Sequence, residues 1–303
     1  MERLESEGYI ETRQGAGSFV RRRGRAAAAS RTLASMVTLD TPTLIAVQNQ
    51  ALARGFLLCV YARDQVGYAP APERAFLERV RTERHAGILA CLTPAAPTND
   101  DLLDQMAAEG IRVLHLEPRG PVPPAQNYLL PDYRRAGALA VTTLRRRGFR
   151  RLVFAGTTAD WPAAKLFRQG FDDALRDHGL AADPGDRYFE FPTGADVMPA
   201  AARRLEEYLA AVTPGTAFVC RGTEFAAAIT AGLTARGLAP GEDCLAIGIH
   251  YVDEFPNSGH RPAIVFDRPA ILRQAVELLT GAGWPRIQEL AKPRLSEIEK
   301  RRT

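Results

Sequence analysis

From about residue 33 onward, short apolar runs of strand character alternate with longer segments whose apolar residues recur every three or four positions. The strand-like runs are Ala34 to Leu39, Phe56 to Tyr61, Gly87 to Cys91, Arg112 to Leu116, Arg151 to Ala155, Ala217 to Cys220, Cys244 to Ile249 and Ala263 to Phe266. Helical periodicity covers Thr43 to Ala53, Asp100 to Glu109, Ala136 to Arg147, Lys165 to His178, Met198 to Ala211 and Glu224 to Arg236. Continuous apolar strands separated by such helices are the pattern of parallel strands joined by crossover helices. Gly55, Gly110, Gly148, Gly179 and Gly237 follow five helical segments, where a left-handed C-cap is expected.

Eight parallel strands are also compatible with a closed barrel. The alternation pauses, however, between Pro118 and Pro131, across a connection holding Pro121, Pro123 and Pro124, and then restarts with a long helix. Two open-sheet lobes are therefore expected: a first over 33–148 completed by a C-terminal return, and a second over 149–263. Open parallel sheets bind ligands beyond the carboxyl ends of their strands, here in the cleft between lobes.

Composition adds little to the fold but removes several functions. Hydrophobic residues at 46% and charged residues at 24% exclude disordered and fibrous classes. The formal charge of +4 matters through its placement: residues 12 to 31 carry Arg13, Arg21, Arg22, Arg23, Arg25 and Arg31 with no acid. On charge alone this run fits a solvated linker as well as a phosphate contact. Cys59, Cys91, Cys220 and Cys244 lie in or beside apolar runs, without a CxxC pair or a histidine at zinc spacing, and are expected to be buried free thiols. No metal or cofactor is implied. No apolar stretch reaches membrane-spanning length, and acids and arginines occupy the place of a signal-peptide core, so a cytoplasmic protein without a membrane partner is expected. Phosphate-loop, dinucleotide-binding, HExxH and GxSxG patterns are absent, and an enzyme is not expected.

Two strings carry resemblances. Leu4-Glu5-Ser6-Glu7-Gly8-Tyr9-Ile10 followed by Arg13-Gln14-Gly15-Ala16-Gly17-Ser18-Phe19-Val20 reads as a helix ending at Gly8, a strand, a tight turn at Gly15 and Gly17, and a returning strand. It resembles the end of the winged helix-turn-helix domain of GntR-type regulators, over residues 1–23, with a basic linker over 24–32. The resemblance implies a wing whose DNA contacts fall on Arg13, Gln14, Gly15, Ala16 and Gly17. It also implies that two helices and most of the recognition helix would lie upstream of Met1, so operator DNA is a partner only where the complete head is present.

The second resemblance covers residues 33–303. Asp132, Ala136-Gly137-Ala138-Leu139-Ala140, Leu144-Arg145-Arg146-Arg147-Gly148-Phe149, Leu152-Val153-Phe154-Ala155-Gly156 and Gly170-Phe171-Asp172-Asp173-Ala174-Leu175 resemble the effector domain of LacI/GalR regulators. Ala217-Phe218-Val219-Cys220 and Leu245-Ala246-Ile247-Gly248 resemble its next strands. The implied fold is α/β, a two-lobed type I periplasmic-binding-protein-like domain with parallel sheets, preceded by a remnant winged-helix hairpin. The implied function is a ligand-responsive transcription regulator, a repressor and homodimer, binding a small polar effector such as a sugar derivative. A solute-binding protein of a transport system is the alternative.

The family's ligand positions carry altered residues here. Where the family places an arginine the chain has Phe167, with Lys165 and Arg168 beside it. Its Asn-Asp pair falls on Gly222-Thr223, between Arg221 and Glu224, and its Asp-Asp pair on His250-Tyr251. Only Asp132 keeps the expected type. The candidate pocket is thus Asp132, Trp161, Lys165, Phe167, Arg168, Arg221, Glu224, His250 and Tyr251. Lys165 or Arg221 would meet an anionic group, Asp132 and His250 hydroxyls, and Trp161 or Phe167 a ring face. Each also has a plain structural role open to it: Asp132 as a helix cap, His250 as a strand-end residue, Lys165 and Arg168 as solvated charges.

Overall fold

The computed structural model describes residues 10–13, 17–20, 30–37, 41–61, 70–93, 97–117, 126–157, 162–180, 188–191, 198–251 and 262–296. Strands β1 (Ile10–Arg13) and β2 (Gly17–Val20) form an antiparallel hairpin in which Arg13 pairs with Gly17. The expected hairpin is present as backbone, with Gly17 opening the return strand rather than sitting in the turn. Gln14, Gly15 and Ala16 lie outside the described residues, as do the helix end at Gly8 and residues 21–29.

Two six-stranded sheets follow. The first contains β3 (Thr32–Ser35), β4 (Leu57–Val60), β5 (Gly87–Ala90), β6 (Arg112–His115), β7 (Asn127–Pro131) and β13 (Gln288–Ala291), in the order β13-β7-β6-β5-β3-β4, all parallel. The second contains β8 (Arg151–Thr157), β9 (Tyr188–Phe191), β10 (Thr216–Cys220), β11 (Cys244–Tyr251), β12 (Ala263–Phe266) and β14 (Arg294–Ser296), in the order β14-β12-β11-β10-β8-β9. There only β14 is antiparallel.

Eight helices are described: α1 (Thr41–Ala53), α2 (Pro70–Thr82), α3 (Asp100–Ala108), α4 (Tyr133–Arg146), α5 (Pro162–Asp177), α6 (Met198–Ala210), α7 (Thr223–Ala235) and α8 (Arg268–Thr280). They cover both faces of both sheets. In the first lobe Leu77 of α2 and Leu102, Leu103 and Met106 of α3 pack on one face, and α1 and α8 on the other. In the second, Leu209, Ile229 and Leu233 pack one face while Ala140, Leu144, Phe167 and Phe171 pack the other. Apolar burial on both faces explains the uninterrupted hydrophobic strands. All five helix-ending glycines have positive φ, from 65° at Gly179 to 92° at Gly148, a region that costs a side-chain-bearing residue about 1–2 kcal/mol.

The chain changes sheets three times. It leaves β7 through Asp132 into α4, returns from β12 through Asp267 into α8, and passes from β13 to β14 through Lys292 and Pro293. The first change precedes the boundary expected near 148, because α4 packs on α5 and on β10 and β11 of the second sheet. Periodicity identifies a helix but not the sheet that receives it.

Further elements lie where none was expected. Strand β7 occupies the second half of the proline-rich pause, α2 begins on Pro70 and Pro72, and α8 follows Asp267 directly. Strands β9, β13 and β14 are short pieces at sheet margins. The cysteine expectation divides: Cys220 and Cys244 are buried, Cys91 is half-buried, and Cys59 is exposed on edge strand β4. No described helix is long and apolar enough to cross a membrane.

Candidate functional site

The carboxyl ends of the two sheets meet beside the crossovers, where three side chains from separate elements join. The Tyr251 hydroxyl, at the end of β11, donates to Glu117 Oε1 at 2.7 Å. Glu117 stands just beyond β6 in the first lobe. The Tyr133 hydroxyl, on the first residue of α4, lies 3.2 Å from both Glu117 oxygens and 2.7 Å from the Tyr251 hydroxyl. Tyr133 and Tyr251 both rest against Phe266, at ring-centroid distances of 5.4 and 6.1 Å. The guanidinium of Arg268, the first residue of α8, stands 4.5 Å from the Tyr251 ring centroid. That geometry is a cation–π contact.

The electrostatics follow from this packing. Burial pushes the Glu117 carboxyl above the ordinary carboxylate range, against the tyrosine hydrogen bonds and the positive charges of Arg268 and Arg221. Tyr133 and Tyr251 are both pushed well up, first by burial and then by the negative Glu117 beside them. Both hydroxyls therefore remain protonated donors across the physiological range.

The helices bearing these groups start in the same way. Asp132 Oδ1 accepts from the Arg135 N–H at 2.9 Å, and Asp267 Oδ1 accepts from the Ala270 N–H at 3.0 Å. Each cap contributes about 1 kcal/mol and fixes the direction of its helix away from the crossover. Asp132 thus has the capping role on its Oδ1.

The remaining predicted pocket residues divide. Arg221 follows β10, its N–H bonded to the Ala155 carbonyl at 2.9 Å, and its positive charge opposes the effect of burial on Glu117. His250 is buried beside Tyr251, with Nδ1 3.4 Å from Thr223 Oγ1 at the start of α7. Phe167 does not belong to a pocket wall: it is 1% exposed and packs 5.8 Å from Phe154, within the core beneath α5. A large apolar ring on the inner face of an amphipathic helix is drawn into the core whatever its alignment with a polar position.

Arg168 braces the sheet margin, paired with Glu190 at 2.8 Å and 3.9 Å from the Tyr188 ring centroid. Lys165 and Glu224 are exposed in the first turns of α5 and α7, and Trp161 lies outside the described residues. Glu117, Tyr133 and Arg268 were not anticipated from sequence. The rule that ligands gather at strand carboxyl ends points at Glu117 directly, since it closes the run Arg112-Val113-Leu114-His115-Leu116.

A separate cavity of about 270 Å³ lies under α3 beside Trp284, with Asp104, His115 and Asn127 in its wall, and includes none of the predicted ligand residues. Among the described residues no cluster of three potential metal ligands occurs.

Two lobes of parallel sheet, linked by three crossovers and facing each other through their strand ends, define a type I binding-protein fold. Residues 29–282 match the family model described as periplasmic binding proteins and sugar binding domain of LacI family, and the chain belongs to that family. Among solved structures it is similar to a periplasmic binding protein/LacI transcriptional regulator from Alkaliphilus metalliredigens complexed with D-xylulofuranose, at 19% identity and TM-score 0.65, covering 88% of this chain and 98% of that one. The transcription regulator GntR from Chromobacterium violaceum gives 20% identity and TM-score 0.68, over 88% and 97%. A transcriptional regulator CelR–cellobiose complex gives 19% and 0.67, over 97% and 87%. No curated protein sequence matches the chain.

Proposed function

We propose that this chain is a ligand-responsive transcription regulator that binds a small polar effector, a sugar or sugar derivative, between its lobes and acts as a repressor. The observation that carries the reading is the Glu117–Tyr133–Tyr251 contact, which puts polar groups from both lobes in the cleft, directly on a crossover. The complexes of the similar regulators with D-xylulofuranose and cellobiose support a sugar as the effector class. An effector that favours one lobe arrangement shifts the population toward it and so changes the spacing of paired DNA-binding heads.

The hairpin of β1 and β2 supports the winged-helix assignment, with Arg13, Gln14, Gly15, Ala16 and Gly17 as its DNA contacts wherever a complete head is carried. Homodimerisation is supported by exposed Ile45 and Leu52 on α1 and Leu57 on β4, an apolar surface beside an unpaired sheet edge. The same reading makes the protein cytoplasmic and non-catalytic.

The test is differential scanning of the full chain against sugars, sugar acids and nucleosides. A ligand at a hundred times its Kd stabilises the folded state by about 2.7 kcal/mol, roughly 5–10 °C in Tm for a domain of this size. A well-folded sample that no compound of these classes stabilises would overturn the effector reading. Light scattering should give the mass of a dimer.

A further inference from the structure

We propose that Glu117 is an internal ligand, occupying with its side-chain carboxylate the subsite that takes the carboxylate of the effector, and that the effector is a polyhydroxylated acid. The inference rests on the effector reading above and narrows its class. The site already displays what it selects: two tyrosine hydroxyls converge on one carboxylate, and the Arg268 guanidinium stands over the ring of one of them. Tyr133 is equidistant from the two Glu117 oxygens, as suits a flat two-oxygen anion, and Tyr251 approaches one of them more closely.

Arg268 is held on the face of Tyr251, so the ring that presents the hydroxyl also positions the cation. The nearby carboxylates Asp132 and Asp267 each have a capping bond to a backbone N–H, while Glu224 is exposed on α7. Glu117 is therefore the acid that meets the tyrosine hydroxyls. It also enters from the opposite lobe to Tyr251, so a soluble acid that displaces it exchanges an interlobe contact for a ligand contact. This supplies the differential interaction through which binding changes the lobe arrangement.

Glu117→Ala removes the internal carboxylate and leaves its partners. In scanning calorimetry, sodium acetate should raise the Tm of Glu117→Ala and not that of wild type, against sodium chloride at equal ionic strength. Gluconate and galacturonate should stabilise wild type more than glucose and galactose do, and should bind Glu117→Ala roughly a hundredfold more tightly, the factor expected if Glu117 fills the subsite about ninety-nine hundredths of the time. Tyr251→Phe, which keeps the ring under Arg268, should weaken sugar-acid binding to a protein of unchanged fold, and it carries the test if Glu117→Ala does not fold.

Equal response of wild type and Glu117→Ala to acetate overturns the proposal, as does sugar-acid binding unaffected by Tyr251→Phe. Preference for neutral sugars would overturn it while leaving the regulator reading intact, and preference for glucose 6-phosphate over gluconate would replace carboxylate by phosphate. Acetate rescue of the variant with no stabilisation by any effector class would instead support the anion subsite and overturn the regulator reading.

Discussion

Gly170→Ala should destabilise the second lobe, although glycine is ordinarily the weaker helix former. Gly170 lies inside α5 where that helix crosses α4. A Cβ built there would overlap the carbonyl oxygen of Arg134 and lie 2.7 Å from its carbonyl carbon, whereas ordinary contact begins at 3.4 Å. The obstacle is backbone, which cannot rotate away, and the matching Gly137 on α4 meets the Phe167 carbonyl and, at 2.8 Å, the Phe171 nitrogen. The helices must separate by roughly 1 Å, and overpacking of this kind costs about 1–3 kcal/mol.

At the upper end, reduced by the gain of about 1 kcal/mol in helix propensity, a net loss of about 2 kcal/mol remains. In a domain of this size that is roughly 4–8 °C in Tm. The displaced carbonyl belongs to the residue after Tyr133, so contact with Glu117 should loosen too, and near-ultraviolet tyrosine circular dichroism should change below the melting transition. Gly283→Ala is the control, since nothing lies within 4 Å of its added carbon. A Gly170→Ala Tm within about 1 °C of wild type would refute the close-crossing argument.

Two further outcomes follow from burial and charge. Because burial raises the Glu117 carboxyl above its ordinary value, folding favours the protonated form relative to the unfolded chain, and wild-type stability is lost as pH rises from the ordinary carboxylate range through the folded value. Glu117→Gln should then melt above wild type at neutral pH, with an advantage that shrinks as pH falls toward that range; an advantage that grows on acidification would refute the sign. In native alkylation Cys59 should react first and Cys220 only on unfolding, since Cys59 is exposed and burial pushes the Cys220 thiol up; mass spectrometry of the labelled chain reads the order.

The sequence announced its central strands because they are buried on both faces, and its helix ends because positive-φ glycines mark them. It hid α2 behind Pro70 and Pro72, and β7 behind the prolines that precede it. The site was less legible for a different reason. Alignment to a family pattern selects positions, but side-chain chemistry decides which way a residue turns. Phe167 went into the core because an apolar ring gains most there, and Arg168 turned to Glu190 and Tyr188. Tyr251 is held at the carboxyl end of its strand by its hydroxyl contacts to Glu117 and Tyr133. Glu117 also stands beyond a strand carboxyl end, without matching any family position considered.

The two crossover helices explain how so small a contact can govern the whole chain. Tyr133 and Arg268 each directly follow the capping aspartate at a crossover, and both converge on Tyr251. Two of the four contact residues, Tyr133 and Arg268, are thus mounted on the crossovers themselves. Parting the lobes at Glu117 breaks two hydrogen bonds to a carboxylate, together about 3 kcal/mol after exchange with water. An effector must therefore prefer the rearranged lobes by more than a factor of roughly a hundred to shift the population. A carboxylate that takes over both tyrosine hydroxyls recovers most of that loss within the same site, whereas a neutral ligand leaves Glu117 in place and the lobes joined.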